Sequence, residues 1–255
     1  MTIRADEEQG RRAVAALLAL VGQAGGDAAD PAAARWSARA LEPGFTAMAA
    51  AARRTGEPSR ALRAELGAIG RAAERTMARA DGGASLHHGA VWPLGLLVAG
   101  TALAPGGGPE EAARLAGQLA RHPDPGAPRR PSPGSAMSQR YGAAGAKGEA
   151  RAGFPHVRMA LRALAKARAD GAREPEARLT ALLTVMASLR DTGPLHTAGP
   201  AGLREVQDGA LAVLAGTLAP AVLDARLRAR GLRPRGSGHV LAAALFLEDS
   251  DSSFM

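Results

Sequence analysis

"SRALRAELGAIGRAAERTMARA", residues 59–80, decides the fold class. Leu62, Leu66, Ile69, Ala73 and Met77 recur at spacings of three and four, the period that stacks side chains on one helix face. Arg63, Glu65, Arg71, Glu74 and Arg75 take the other positions. Ser59 stands where an N-cap belongs, since its hydroxyl can accept from the first free N–H groups. The same reading extends in both directions. Upstream, "AVAALLALV" follows Arg11 and Arg12, but Asp6, Glu7 and Glu8 sit where an export signal is basic, so an amphipathic first helix is expected. "GQAGGDAADP" (22–31) is a loop, and Pro31 suits the first turn of a helix through Trp36 and Leu41 that "EPGF" interrupts or kinks.

Downstream, "DGGAS" (81–85) ends the long helix. The uncharged stretch from Gly89 to Pro109 raises a membrane question, but Pro93 breaks it and "PGGGP" closes it, so it reads as a buried core helix. "EEAARLAGQLA" is helical; "HPDPGAPRRPSPGSAMSQ" (122–139) holds five prolines and is expected to be an irregular linker or lid. "VRMALRALAKARAD", "EPEARLTALLTVMASLR", "GLREVQDGALAVLAG", "AVLDARLRARG" and "VLAAALFLE" follow as helices, before an acidic tail at 248–255. No convincing β-branched run or fixed-period repeat appears. The expectation is all-α: a single multi-helix globular domain over residues 1–255, with glycine- and proline-rich inter-helix loops.

With only seven aromatic residues, the core must be filled by Ala, Leu, Val and Met. The net charge of +8 is carried almost wholly by Arg, since Lys147 and Lys166 are the only lysines; Arg grips phosphate bidentately and points to a polyanionic partner. Basic segments interleaved with stacking aromatics are missing, which argues against nucleic acid in favour of a phosphorylated small molecule. The absence of cysteine excludes disulfides, thiolate catalysis and Cys-based metal sites, and fits the cytoplasm.

Four polar or glycine-bearing spots interrupt the helices: Ser85 to Gly89, Tyr141 to Pro155, Asp191 to Gly199, and Arg233 to His239. Convergence of these on one pocket is an expectation that spacing alone cannot fix. In "SLHHG", the adjacent His87 and His88 lack the i, i+4 spacing of a two-ligand metal site and read either as partly exposed histidines or as phosphate contacts at a helix N-terminus. "YGAAGAKGEARAGFPHV" (141–157) offers glycines for close backbone approach, Lys147 and Arg151 for an anion, and Glu149 as acid, base or metal ligand. It is not a P-loop, because Gly148 and Glu149 follow the lysine; a flexible glycine loop with solvated charges is the plain alternative. Asp191 and Thr192 suit Mg²⁺ with bound phosphates, with His196 near an anion, or else a capped turn. Arg233, Arg235 and Ser237 precede a helix and suggest an anion site.

Taken in order, "SARALEPGFTAMAAAA", "HHGAVWPLGLLVA", "KGEARAGFP", "RLTALLTVMASLRDT" and "GSGHVLAAALFL" resemble the triphosphoribosyl-dephospho-coenzyme A synthase family, and more closely its malonate decarboxylase branch, from about residue 36 to 248. "KGEARAGFP" is the most specific piece, similar to the family's Arg-Gly-Glu-Ala followed by Gly-Phe-Pro. The resemblance implies an all-α fold and transfer of a triphosphoribosyl group from ATP to 3′-dephospho-coenzyme A. Adenine is released, and the product is the prosthetic-group precursor passed towards an acyl carrier protein system. It implies Mg²⁺, with Glu149 and Asp191 as catalytic and metal-binding carboxylates. His87, Gly89, Lys147, Gly148, Arg151, Thr192, His196, Gly236 and Ser237 are the implied substrate contacts. Ser85, Leu86, His88, Gly193, Thr197, Ala198, Arg235, Gly238 and His239 depart from the family pattern, and "VGQAGGDAADPAAA" stands where a polar family segment belongs. A non-catalytic relative that binds a nucleotide, a coenzyme A derivative or a carrier-system partner is the alternative expectation. The resemblance implies no membrane and leaves the oligomeric state open.

Overall fold

The computed structural model describes residues 2–21, 31–80, 87–128 and 132–252; within them thirteen α-helices follow one another and no strand forms. The early loop at 22–30, the "DGGAS" terminator, Ser85 and Leu86 lie outside the described residues.

α1 (Thr2–Leu18) is the amphipathic first helix, burying Ala13, Val14, Ala16 and Leu17, while Asp6 turns inward to accept from Arg53 Nε at 2.8 Å. α2 (Pro31–Arg39) ends before "EPGF", which neither kinks nor merely interrupts a helix: it opens α3 (Glu42–Thr55), with Pro43 in the first turn and Phe45 buried. Proline is favoured there because the first-turn N–H has no intrahelical partner. α4 (Arg60–Ala80) starts as expected, Ser59 Oγ accepting the Leu62 N–H at 3.2 Å, and buries Leu62, Leu66, Ala73 and Met77. Arg63 departs from the amphipathic reading: it is buried, its guanidinium 5.5 Å from the Trp92 ring centroid and 3.4 Å from Asp124.

α5 (His88–Leu103) is apolar on every side and lies at the centre, packed against α3, α4 and α6 (Gly108–Arg121). Its approach to α6 is close: a Cβ on Gly100 would fall 2.2 Å from the Ala112 carbonyl oxygen. Among the described residues no single helix is long and apolar enough to cross a membrane.

The proline-rich segment 122–139 is not irregular throughout. Asp124 pins its first part by accepting from Arg71 at 2.7 Å, and α7 (Pro133–Tyr141) begins at Ser132, whose hydroxyl accepts from the Ser135 N–H. Proline cannot break a helix from its first position, where no N–H bond is lost. The glycine passage likewise contains a short helix, α8 (Gly145–Arg151), before α9 (Pro155–Ala169). α10 (Glu174–Ser188) packs on α9 and on α11 (Thr192–Leu214), which is kinked at Ala198 and Gly199 ahead of Pro200. After α12 (Pro220–Ala229), α13 (Arg235–Ser252) runs back through the core against α1, α5, α6, α9 and α10. The acidic tail begins inside this helix, with Glu248 paired to Arg168 on α9. One apolar core joins helices from α1 to α13, and a small second cluster gathers Ala143, Leu195 and Leu203.

Candidate functional site

The four interruptions read from sequence meet at one cavity of about 490 Å³. Gly89 and Pro93 come from α5, Glu149 from α8, Asp191, Thr192 and His196 from the start of α11, and Arg235, Gly236 and His239 from the start of α13. Three helices thus present their N-terminal turns to the same space, where the positive end of each helix dipole favours an anion, while the Gly193 and Ser237 N–H groups are already taken by Asp191. Arg190 and Arg235 add cationic charge, whereas Phe154, Val157, Leu189, Val240 and Ala243 make the other wall apolar. Pro93 has no N–H for the Gly89 carbonyl, which is thereby deprived of its usual helical partner at the cavity wall.

Glu149 owes its position to the turn that follows it. Gly153 and Phe154 both adopt left-handed backbone angles, φ 78° and 59°, which turn the chain between α8 and α9. For phenylalanine that conformation costs about 1–2 kcal/mol, offset here by complete burial of the ring. Pro155 then opens α9, and the Glu149 carboxylate reaches across the turn: Oε1 accepts the His156 N–H at 2.7 Å and Oε2 accepts from His156 Nδ1 at 2.7 Å. The sequence "GEARAGFPH" is therefore a folding instruction as much as a chemical one.

Asp191 holds two helices together. It caps α11, Oδ1 accepting the Gly193 N–H at 2.9 Å, while Oδ2 accepts the Ser237 N–H at 2.9 Å and its hydroxyl at 3.2 Å at the start of α13. Burial raises its pKa above the usual carboxylate range, opposed by the bonds from Gly193, Ser237 and Gly236. His239 shifts the other way: burial, with His87, Arg235 and His88 adding like charge, pushes it down to about 3. Its ring is neutral at pH 7 and packs over Gly89, where a Cβ would lie 3.0 Å from Nδ1 and Cε1.

A family model described as ATP:dephospho-CoA triphosphoribosyl transferase (CitG) matches residues 23–254. The chain belongs to this family. A relative from Klebsiella pneumoniae named "2-(5''-triphosphoribosyl)-3'-dephosphocoenzyme-A synthase" is 45% identical over 222 residues, covering 83% of this chain and 79% of its own length. Relatives from Azotobacter vinelandii (46% over 223 residues, 83% of this chain and 76% of the relative) and Pseudomonas putida (45% over 225 residues, 85% and 80%) carry the same name prefixed "Probable". No solved structure matches.

Of the positions that the family resemblance singled out, Gly89, Glu149, Asp191, Thr192, His196 and Gly236 line the cavity, and five do not. His87 is buried at the start of α5 and donates from Nε2 to the Ala34 carbonyl at 3.0 Å, tying α2 to α5. Lys147 is exposed on α8, and Gly148 sits beside it, off the wall. Arg151 donates from Nε to the Ala120 carbonyl near the end of α6, and Ser237 is fully buried beneath Asp191. Conversely, Arg190 and His239 line the cavity and were not among the expected contacts, and Arg235, expected only as part of an anion site, lines it too. Arg190 also donates to the Tyr141 carbonyl at 2.7 Å. The signal available for His239 was a lone imidazole in the apolar run "GHVLAAALFL".

The carboxylates differ in their fit to a metal ion. No group of three or more His, Asp or Glu residues able to hold one occurs among the described residues. Asp191 accepts three bonds, two of them on Oδ2, whereas Glu149 accepts two, one on each oxygen, and so keeps the greater acceptor capacity. Mg²⁺ commonly takes one or two carboxylates and completes its shell from water and substrate phosphates, a demand that Glu149 meets more readily than Asp191.

Proposed function

We propose that this chain transfers the triphosphoribosyl group of ATP to the 2′-hydroxyl of 3′-dephospho-coenzyme A, releasing adenine. The observation that carries the reading is a buried carboxylate, Glu149, fixed on the wall of a cavity that collects three helix N-termini, Arg190 and Arg235. The triphosphate is proposed to lie against these N-termini and guanidinium groups, and adenine against the apolar side that Leu189 and Val240 line. In the reaction the bond between ribose C1′ and the adenine nitrogen breaks, and the dephospho-coenzyme A 2′-oxygen bonds to C1′. Glu149 takes the proton from that hydroxyl and faces the oxocarbenium-like character developing at C1′, where a fixed negative charge is most effective. The departing adenine carries away the glycosidic electron pair and acquires a proton.

Neutral His239 offers one N–H and one lone pair to uncharged substrate atoms, rather than a cation to phosphate. Asp191 keeps the N-termini of α11 and α13 side by side and acts through them. Mg²⁺, held by Glu149 and the triphosphate, would neutralise phosphate charge. We place the chain in the cytoplasm, with its product as the prosthetic-group precursor for the acyl carrier subunit of malonate decarboxylase. No observation favours the non-catalytic alternative.

The test is mass spectrometry of purified protein incubated with ATP, Mg²⁺ and 3′-dephospho-coenzyme A. Adenine and the triphosphoribosyl adduct in equal amounts are expected. Folded protein that yields neither, beside an active relative as control, would refute the reading.

A further inference from the structure

We infer that His156 is a positioning residue that acts through Glu149, an inference that rests on the synthase reading above. The α9 N-terminus needs only one acceptor for the His156 backbone N–H, and Glu149 Oε1 supplies it at 2.7 Å. The second bond, from the ring Nδ1 to Oε2 at 2.7 Å, adds nothing to that cap. It fixes the plane of the carboxylate. A carboxylate can only accept, so Nδ1 carries the proton. The terminal torsion of glutamate is broad and roughly two-fold, and one bond would let the group swing about Oε1. Two bonds from a single residue, on a backbone set by the left-handed Gly153 and Phe154, leave one orientation towards the cavity. His156 does not line the cavity, and its side chain is only 22% exposed, so its ring reaches the cavity through the Glu149 carboxylate.

A positioning role predicts a loss in turnover rather than in binding. His156→Ala should lower kcat about 10–100-fold, as loss of an orienting partner does, with little change in KM for ATP or 3′-dephospho-coenzyme A. His156→Asn carries an amide N–H on the same branch as Nδ1 and should restore most of the rate. His156→Gln carries it one bond further out and should stay slow. All three variants keep the backbone N–H that caps α9, and circular dichroism melts verify that they fold. Should the alanine variant fail to fold, the Asn and Gln variants carry the comparison between them. Equal kcat in the Asn and Gln variants, an alanine variant as fast as wild type, or a change confined to KM would overturn the assignment while leaving the synthase reading intact. Wild-type protein that releases no adenine would overturn the synthase reading, and this role with it. As a readout independent of turnover, ¹⁵N-histidine NMR should show a hydrogen-bonded His156 Nδ1–H that changes in Glu149→Gln; no change would remove the bond on which the inference stands.

Discussion

Replacing Asp191 tests whether the site is held by a clamp between two helix N-termini. Asp191→Ala removes three accepted hydrogen bonds, from the Gly193 N–H, the Ser237 N–H and the Ser237 hydroxyl. Loss of the N-cap costs about 1 kcal/mol. The Ser237 N–H, in a residue with no exposed surface, is left without an acceptor at a further cost of about 1–3 kcal/mol. The hydroxyl can rotate to another partner and adds little. The sum is about 3 kcal/mol, readable as a shifted midpoint in urea denaturation. Asp191→Asn has one oxygen in place of two and can serve only one helix, so its cost should fall between wild type and alanine. The pH dependence has a definite sign. Because burial raises the Asp191 pKa, the folded state holds this proton more tightly than the unfolded chain, and the stability so contributed is lost as pH rises through the raised value. The gap between wild type and Asp191→Asn should therefore narrow as pH rises from the ordinary aspartate range. An alanine variant within about 0.5 kcal/mol of wild type, the scatter of ordinary surface changes, would refute the clamp; a gap that widens with pH would instead show that the bonds to the carboxylate outweigh its burial.

Glu149→Gln keeps the shape and removes the charge, and adenine release should fall about 10²-fold or more; unchanged turnover would remove Glu149 from the chemistry. His239, held near 3, contributes stability that is complete above the ordinary histidine range and lost as pH falls from about 6.5 towards 3. His239→Gln should flatten that acid limb in denaturation melts, and the wild-type ring should show no titration by NMR between neutrality and the mildly acidic range. Gly100→Ala would drive a methyl into the Ala112 carbonyl and should destabilise by about 1–3 kcal/mol, measured by thermal melt, without any change in the site residues.

Much of the helix order was legible because an apolar period is local: Leu62, Leu66, Ala73 and Met77 predict their own burial. Local reading failed where partners come from far along the chain. Arg63 lies on a face that looks solvated until Trp92 and Asp124 cover it. The proline-rich segment reads as irregular, yet Pro133 begins a helix because position, rather than the count of prolines, decides whether a bond is lost. At the site, sequence picked out Glu149, Asp191, Thr192 and His196 as chemically capable, and all four line one cavity. It could not distinguish Asp191, which joins the starts of two helices through Gly193 and Ser237, from Glu149, both of whose bonds come from His156.

What the sequence alone determined was the helical class, the helix starts marked by Ser59 and Pro31, and the family to which the motifs belong, since periodicity, capping and motif spacing are short-range properties of the chain. What only the tertiary structure decided was which polar groups face the cavity and which are spent on folding. His87 ties α2 to α5, Ser237 lies beneath Asp191, and His239, forty-eight residues beyond Asp191, completes the wall. That division follows from hydrogen-bond capacity: each donor and acceptor can be committed only once it has met its partner, and these partners meet only when the helices pack.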